Sequence, residues 1–224
     1  SLFAKSRGYR LNYYAVTAEL ARVFLYAGKN AEAYAEAKKI IDEENKTGYF
    51  EASTNSSGFR NGNMKMYNDI IFGVYSSKEL VEWDQEINHG SDGASEENYL
   101  CLDGDVAKEL YGDEINSDWR FKYQLEEKYY GFYYRTLKYN KQTESTNEGK
   151  TNNRMLPMIR MSEVYYIAAE AIFDTKPKEA RGYLELVKKG RGISKKFDNV
   201  TNKSEFIDLL VNDARREFLG EGQI

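Results

Sequence analysis

The sequence predicts a mainly α-helical protein: a tetratricopeptide-like α-α superhelix with a loop-rich insertion and a small β hairpin. Three observations predict it. Residues 9–47 and 156–190 each read as two amphipathic helices joined by a short turn. Residues 48–155 lose that spacing and become acidic, aromatic and rich in turn residues. A last amphipathic stretch follows 190. The two helical pairs form a loose internal repeat, which implies a superhelix rather than a bundle. The chain, 1–224, is thus read as a single domain in three parts: a hairpin (9–47), an excursion (48–155), and a second hairpin with a C-terminal helix (156–224).

In the first hairpin, Leu11, Ala15, Ala18, Ala21 and Leu25 step at helical spacing, and Tyr14, Leu20, Val23 and Phe24 widen the stripe. Gly28 suits a helix end. Asn30 is expected to cap the next helix, which places Ala33, Ala37, Ile40 and Ile41 inward. The excursion opens with the Ser/Asn/Gly-rich loop 53–62, then the apolar run Asp69–Ser76 reads as a strand. A short helix is expected over Asp105–Tyr111. Phe121, Tyr123 and Leu125 alternate like a strand, and a turn at Tyr130-Gly131 pairs it with Phe132–Tyr139. Pro157 suits the first turn of a helix, where its missing N–H costs nothing. Ile159, Val164, Ile167, Ala168, Ala171 and Ile172 then share a face, and Arg160 and Glu163, three apart, are placed to pair on its surface. Pro177 opens the second helix of this hairpin. Asn202 with Glu205 three residues on marks the start of the last helix, whose inward face is Phe206, Leu209, Leu210, Ala214 and Phe218.

Two stretches carry a family resemblance. Pro157, Arg160, Glu163, Ala169, Glu170 and Ala171 match a Pro-x-x-Arg-x-x-Glu-x-x-x-x-x-Ala-Glu-Ala pattern, and Arg215, Arg216, Glu221, Gly222 and Gln223 match Arg-Arg-x-x-x-x-x-Glu-Gly-Gln. Both resemble signatures of the SusD/RagB family, and Tyr9–Gly28 is similar to the first long helix of this half of the family. The resemblance implies a surface lipoprotein of the outer membrane that captures nutrients, mostly glycans. It also implies a partner, a SusC-like TonB-dependent transporter, that receives the oligosaccharide. The family's signal peptide and lipidated cysteine are not in this sequence, since Cys101 is internal. The chain is therefore read as a fragment, with membrane attachment through a lipid anchor implied by resemblance only.

Composition narrows the function. With 32 basic and 36 acidic residues the net charge is −4, which argues against a nucleic-acid binder. No apolar run approaches the roughly 18 residues of a transmembrane helix. One histidine and one cysteine leave no multi-histidine metal site and no internal disulfide. Carboxylate pairs come next, because glycoside hydrolysis needs only two. Glu163/Glu170 and Glu217/Glu221 are read as structural ion pairs beside arginines rather than as catalysts. No cofactor is expected. Asp103, Asp105, Asp113 and Glu114 could offer oxygens to Ca²⁺, but their spacing is not that of an EF-hand, and they are read as a solvated acidic loop. The basic run Lys176–Lys196 is read as a solvated helix face.

The binding site is expected in the excursion, because loops on a rigid scaffold concentrate binding residues. Trp83 lies in a polar segment where no core stripe demands a large ring. Sugar rings stack on such aromatics while nearby polar groups bond their hydroxyls. The expected platform is Trp83, helped by Tyr67, Tyr99 or Trp119 and by Asp84 and Asn88. Two weighed alternatives leave Trp83 folded onto its own loop and Trp119 packed in the hairpin core. The function so implied is non-enzymatic oligosaccharide capture. A tetratricopeptide-type protein adaptor and a carboxylate-dependent glycoside hydrolase stand as alternatives.

Overall fold

The computed structural model describes residues 10–50, 56–76, 101–140, 142, 145, 150–151 and 153–222. The first hairpin is α1 (Tyr13–Tyr26) and α2 (Asn30–Thr47). Asn12 caps α1, its side chain accepting the Ala15 amide at 3.0 Å. Asn30 does not cap α2: Lys29 holds that position, without a side-chain bond, and Asn30 is already helical. The seam between the two helices is built from fully buried Ala15, Ala18, Ala21, Ala33 and Ala37, whose small side chains allow close approach.

The second hairpin is α6 (Met161–Ile172) and α7 (Pro177–Lys189), followed by α8 (Lys203–Glu217). It starts later than the sequence suggested. Pro157 is not in a helix but in strand β5 (Met155–Arg160), antiparallel to β1 (Ile70–Tyr75), where it faces Gly73. In this two-stranded sheet both strands are edges, where a proline without an N–H is tolerated. Burial follows the strand period: Met155, Pro157 and Ile159 are buried, while Leu156 and Met158 are not. At the other end the signals held. Pro177 opens α7, and the Asn202 side chain accepts the Ser204 and Glu205 amides at 2.8 and 3.3 Å.

The helices pack in succession, α1 on α2, α2 on α6 and α6 on α7, with α8 also against α6. Their shared core joins the alanine seam to Ile40, Ile41, Val164, Ile167, Leu184, Phe206 and Leu210. Phe173 and Phe206 stack within it at 4.3 Å.

The excursion has a separate small core. The helix α3 (Ser57–Arg60) precedes β1. After it come β2 (Cys101–Asp103), α4 (Gly104–Tyr111), α5 (Trp119–Gln124), β3 (Leu125–Lys128) and β4 (Tyr133–Thr136), with β4 central in the sheet. Ala107, Tyr111, Leu125 and Tyr134 are buried together, with Phe121 packed on them. The β3–β4 hairpin turns at Tyr130-Gly131 as expected, but its first strand is shorter. Phe121 and Tyr123 are helical, because the Asp118 side chain accepts the Arg120 amide at 2.9 Å and starts α5 there. Phe121 and Leu125, four apart, fit a helical step as well as a strand alternation. Among the described residues no helix is long and apolar enough to cross a membrane.

Candidate functional site

Where α8 meets the excursion, the structure buries a network of charges. Glu217 is its centre. Its carboxylate accepts from Arg160 Nη1 (2.5 Å), Arg191 Nη2 and Nε (2.6 and 2.9 Å) and Arg120 Nη1 (3.1 Å), and all four side chains are buried. Arg120 also donates to Asp118 (2.8 Å) and Asp213 (2.7 Å), and Arg191 to Asp69 (2.7 Å). Glu221 accepts from Arg160 Nη2 (2.9 Å) and Lys138 Nζ (2.7 Å). Glu114 pairs with Lys188 (2.7 Å) and with Arg216. Six cations (Arg120, Lys138, Arg160, Lys188, Arg191, Arg216) thus meet six carboxylates (Asp69, Glu114, Asp118, Asp213, Glu217, Glu221). Buried ions persist only with partners of this kind.

The C-terminal signature has a local cause. Gly220 and Gly222 adopt positive φ (77° and 69°), a conformation most residues avoid. They turn the chain back after α8 and return Glu221 to Arg160 and Lys138. Burial works to raise the Glu217 carboxyl, but Arg191 and Arg160 outweigh it and hold the group well below the usual carboxylate range. Asp213 is held at about 2 in the same way, against its burial, by Arg120 and Lys188, and it also accepts from the Tyr166 hydroxyl (2.6 Å). Asp69 differs. Burial lifts its carboxyl in spite of Arg191 and Arg160, and one of its oxygens has no hydrogen-bond partner.

Arg160 does not pair with Glu163. It ends β5 facing Glu217 and Glu221, while Glu163 faces α1, where Arg22 binds it twice (2.6 and 2.8 Å). Glu217 and Glu221 are held in ion pairs as expected; Glu170 forms none among the described residues. Arg216 is buried, its Nε on the Leu110 carbonyl (2.8 Å), whereas Arg215 is exposed. The basic run 176–196 is not all solvated: Lys188 and Arg191 point inward. Of the acidic residues read as a solvated loop, Asp103 caps α4, accepting the Asp105 and Val106 amides (2.9 and 3.2 Å), and Glu114 belongs instead to the network.

Of the expected sugar platform, Trp83, Asp84, Asn88 and Tyr99 lie outside the described residues. Tyr67 and Trp119 lie within them, both half-buried. Trp119 does not sit in the hairpin core; its ring packs on Gly192, and its amide donates to the Arg191 carbonyl at 2.9 Å. Tyr67 precedes Asp69 by two residues. The Asp69–Arg191 ion pair therefore ties the Tyr67 and Trp119 segments together.

A second feature had no sequence signal. A cleft of about 450 Å³ opens between the C-terminal half of α1, β5, α6 and the end of α8. Arg22, Tyr26, Met158, Tyr166, Glu170 and Phe218 are among the residues that line it. Arg22 is neutralised by Glu163 and Glu19. The Glu170 carboxyl is raised by burial, and only the charge of Lys203 opposes that rise.

Signature residues far apart in sequence thus meet in one network, and the model of the SusD family matches residues 4–224. The chain belongs to the SusD family. No curated protein matches it. Among solved structures, it is similar to a SusD superfamily protein of Bacteroides vulgatus ATCC 8482 (20% identity, TM-score 0.73), covering 98% of this chain and 49% of that one. A second protein of that strain, named for sugar binding, shares 25% identity over 94% of this chain and 45% of its own (TM-score 0.68). A SusD superfamily protein of Bacteroides fragilis NCTC 9343 shares 14% over 98% and 54% (TM-score 0.69). The chain spans about half the length of these structures. The tetratricopeptide-like helical fold expected from the sequence is that of the family.

Proposed function

We propose that this SusD-family chain binds oligosaccharide at the cell surface, without chemistry, and passes it to a TonB-dependent outer-membrane transporter. The observation that carries the reading is the family match over 4–224, joined by the similarity to a protein named for sugar binding. The charge network supports a role without catalysis. Glu217 and Glu221 are each held by two or more cations and shielded from solvent, so neither is placed to give a proton to a leaving group. Glu163 is fixed by Arg22.

The proposed platform remains Trp83 with Tyr67, Tyr99, Trp119, Asp84 and Asn88. A glycan array supplies the ligand, and calorimetry with Trp83→Ala tests the platform. Losing a stacked aromatic costs about 2 kcal/mol, roughly thirtyfold in affinity. Unchanged affinity in a folded variant removes Trp83 from the site. An array without a hit, together with capture of a protein partner, favours the adaptor. Cleavage of a bound glycan favours the hydrolase.

A further inference from the structure

Among the described residues neither Tyr67 nor Trp119 lines the cleft between α1, β5, α6 and α8, and of the charge network only Glu221 does. Its volume, about 450 Å³, lies at the small-ligand end of the roughly 300–1,000 Å³ usual for binding pockets. It suits a few linked rings better than a helix. Its charges are largely settled. Arg22 is held by Glu163 at 2.6 Å and by Glu19 at 2.9 Å. Glu221, at the cleft's edge, has its oxygens on Arg160 and Lys138. That leaves Glu170, half-buried on α6, with no hydrogen bond or ion pair among the described residues. Beside it the cleft offers apolar surface: Met158, Ile167 and the ring of Tyr26, which is 83% exposed. An unpaired carboxylate in a cavity with an open aromatic face matches a ligand that joins an ammonium group to an apolar face. The exposed ring attracts the same cation.

We propose that this cleft binds a protonated amino-sugar unit of an oligosaccharide, its ammonium on the Glu170 carboxylate and its C–H face on Tyr26. The proposal rests on the reading of the chain as a saccharide binder, and it adds a second subsite with its own selectivity. The ammonium gives Glu170 the direct partner it does not have among the described residues, and a charge-assisted hydrogen bond in a half-buried site discriminates more strongly than a neutral one. An N-acetylated unit carries no such charge and gains nothing from Glu170.

The test titrates three probes at neutral pH by calorimetry: the fully deacetylated glucosamine trimer, its N-acetylated counterpart, and tri-lysine. The deacetylated trimer is expected to bind, with the N-acetylated trimer and tri-lysine each at least tenfold weaker. Glu170→Gln is expected to weaken the deacetylated trimer by roughly ten- to a hundredfold and to leave any neutral glycan from the array unaffected. Tyr26→Ala, at an exposed position, provides a second variant if Glu170→Gln does not fold, and a several-fold loss is expected. Equal binding of the two trimers, an unchanged affinity in either folded variant, or tri-lysine binding as tightly as the sugar overturns the proposal. If neutral glycans bind while the amino sugar does not, this subsite fails and the general saccharide reading stands. If no saccharide of either kind binds, both fail.

Discussion

Glu217→Gln is the sharpest test of the charge network. The substitution keeps size and shape, so packing is nearly unchanged, and it removes one negative charge from among three guanidiniums. Arg120, Arg160 and Arg191 lie 2.5–3.1 Å from that carboxylate, and every partner is buried. The six cations would then face five carboxylates, with the excess positive charge sealed from water. Breaking a buried pair by removing one partner costs about 3–5 kcal/mol. A domain of ordinary stability has only about 5–15 kcal/mol in total, so at least about a fifth of it should go. The assay is urea unfolding followed by circular dichroism, with the slope required to match the wild type so that the midpoint shift reports stability. Glu163→Gln is the control. Its partner Arg22 is partly exposed, and surface pairs contribute about 1 kcal/mol or less. A loss for Glu217→Gln below about 1 kcal/mol at constant slope, or a loss equal to that of Glu163→Gln, would refute the view that Glu217 holds the network together.

Gly192→Ala should destabilise the protein by about 2 kcal/mol or more, read as a lower urea midpoint. Gly192 has φ +88°, and a Cβ there would stand 2.5 Å from the Trp119 indole nitrogen and 2.7 Å from the Ser117 carbonyl oxygen. Acid should destabilise the fold. Asp213 has its carboxyl depressed from 3.8 to about 2, so its contribution is complete above the ordinary value and is lost as pH falls toward 2. That contribution is roughly 2 kcal/mol, and Glu217, depressed too, acts in the same direction. Asp69, whose carboxyl is raised, acts in the opposite sense: its contribution is lost as pH rises through the raised value. Urea midpoints between pH 5 and 2 should fall for the wild type and fall less for Asp213→Asn; parallel curves would show that Asp213 is not the titrating group.

Local rules in the sequence reached the helical scaffold. Ala15, Ala18 and Ala21 with Ala33 and Ala37 repeat at helical spacing, and Asn202 and Pro177 carry start signals that need no distant partner. They failed where two periods overlap. Met155–Arg160 and Phe121–Leu125 each satisfy both spacings, and the outcome was set by a neighbour: β1 across from the first, and the Asp118 cap before the second. The proposed binding platform rests on the sequence alone, on a polar segment around Trp83 where no core stripe demands a large ring. The cleft carried no local signature, because its walls come from three helices and a strand.

By itself the sequence determined the two hairpins, the last helix and the presence of two paired signatures. Only the tertiary structure decided what the signatures' charges do. Arg160 meets Glu217 and Glu221 across 57 and 61 residues, and Arg120 meets Glu217 across 97. On a helix, Asp213 and Glu217 occupy the same stripe as Phe206 and Leu210, and a sequence pattern reads such charges as an interruption of the buried face. Whether a charge is solvated or buried depends on what lies opposite it. Periodicity records the spacing along one element and contains nothing about the arginine that another element brings to within 3 Å.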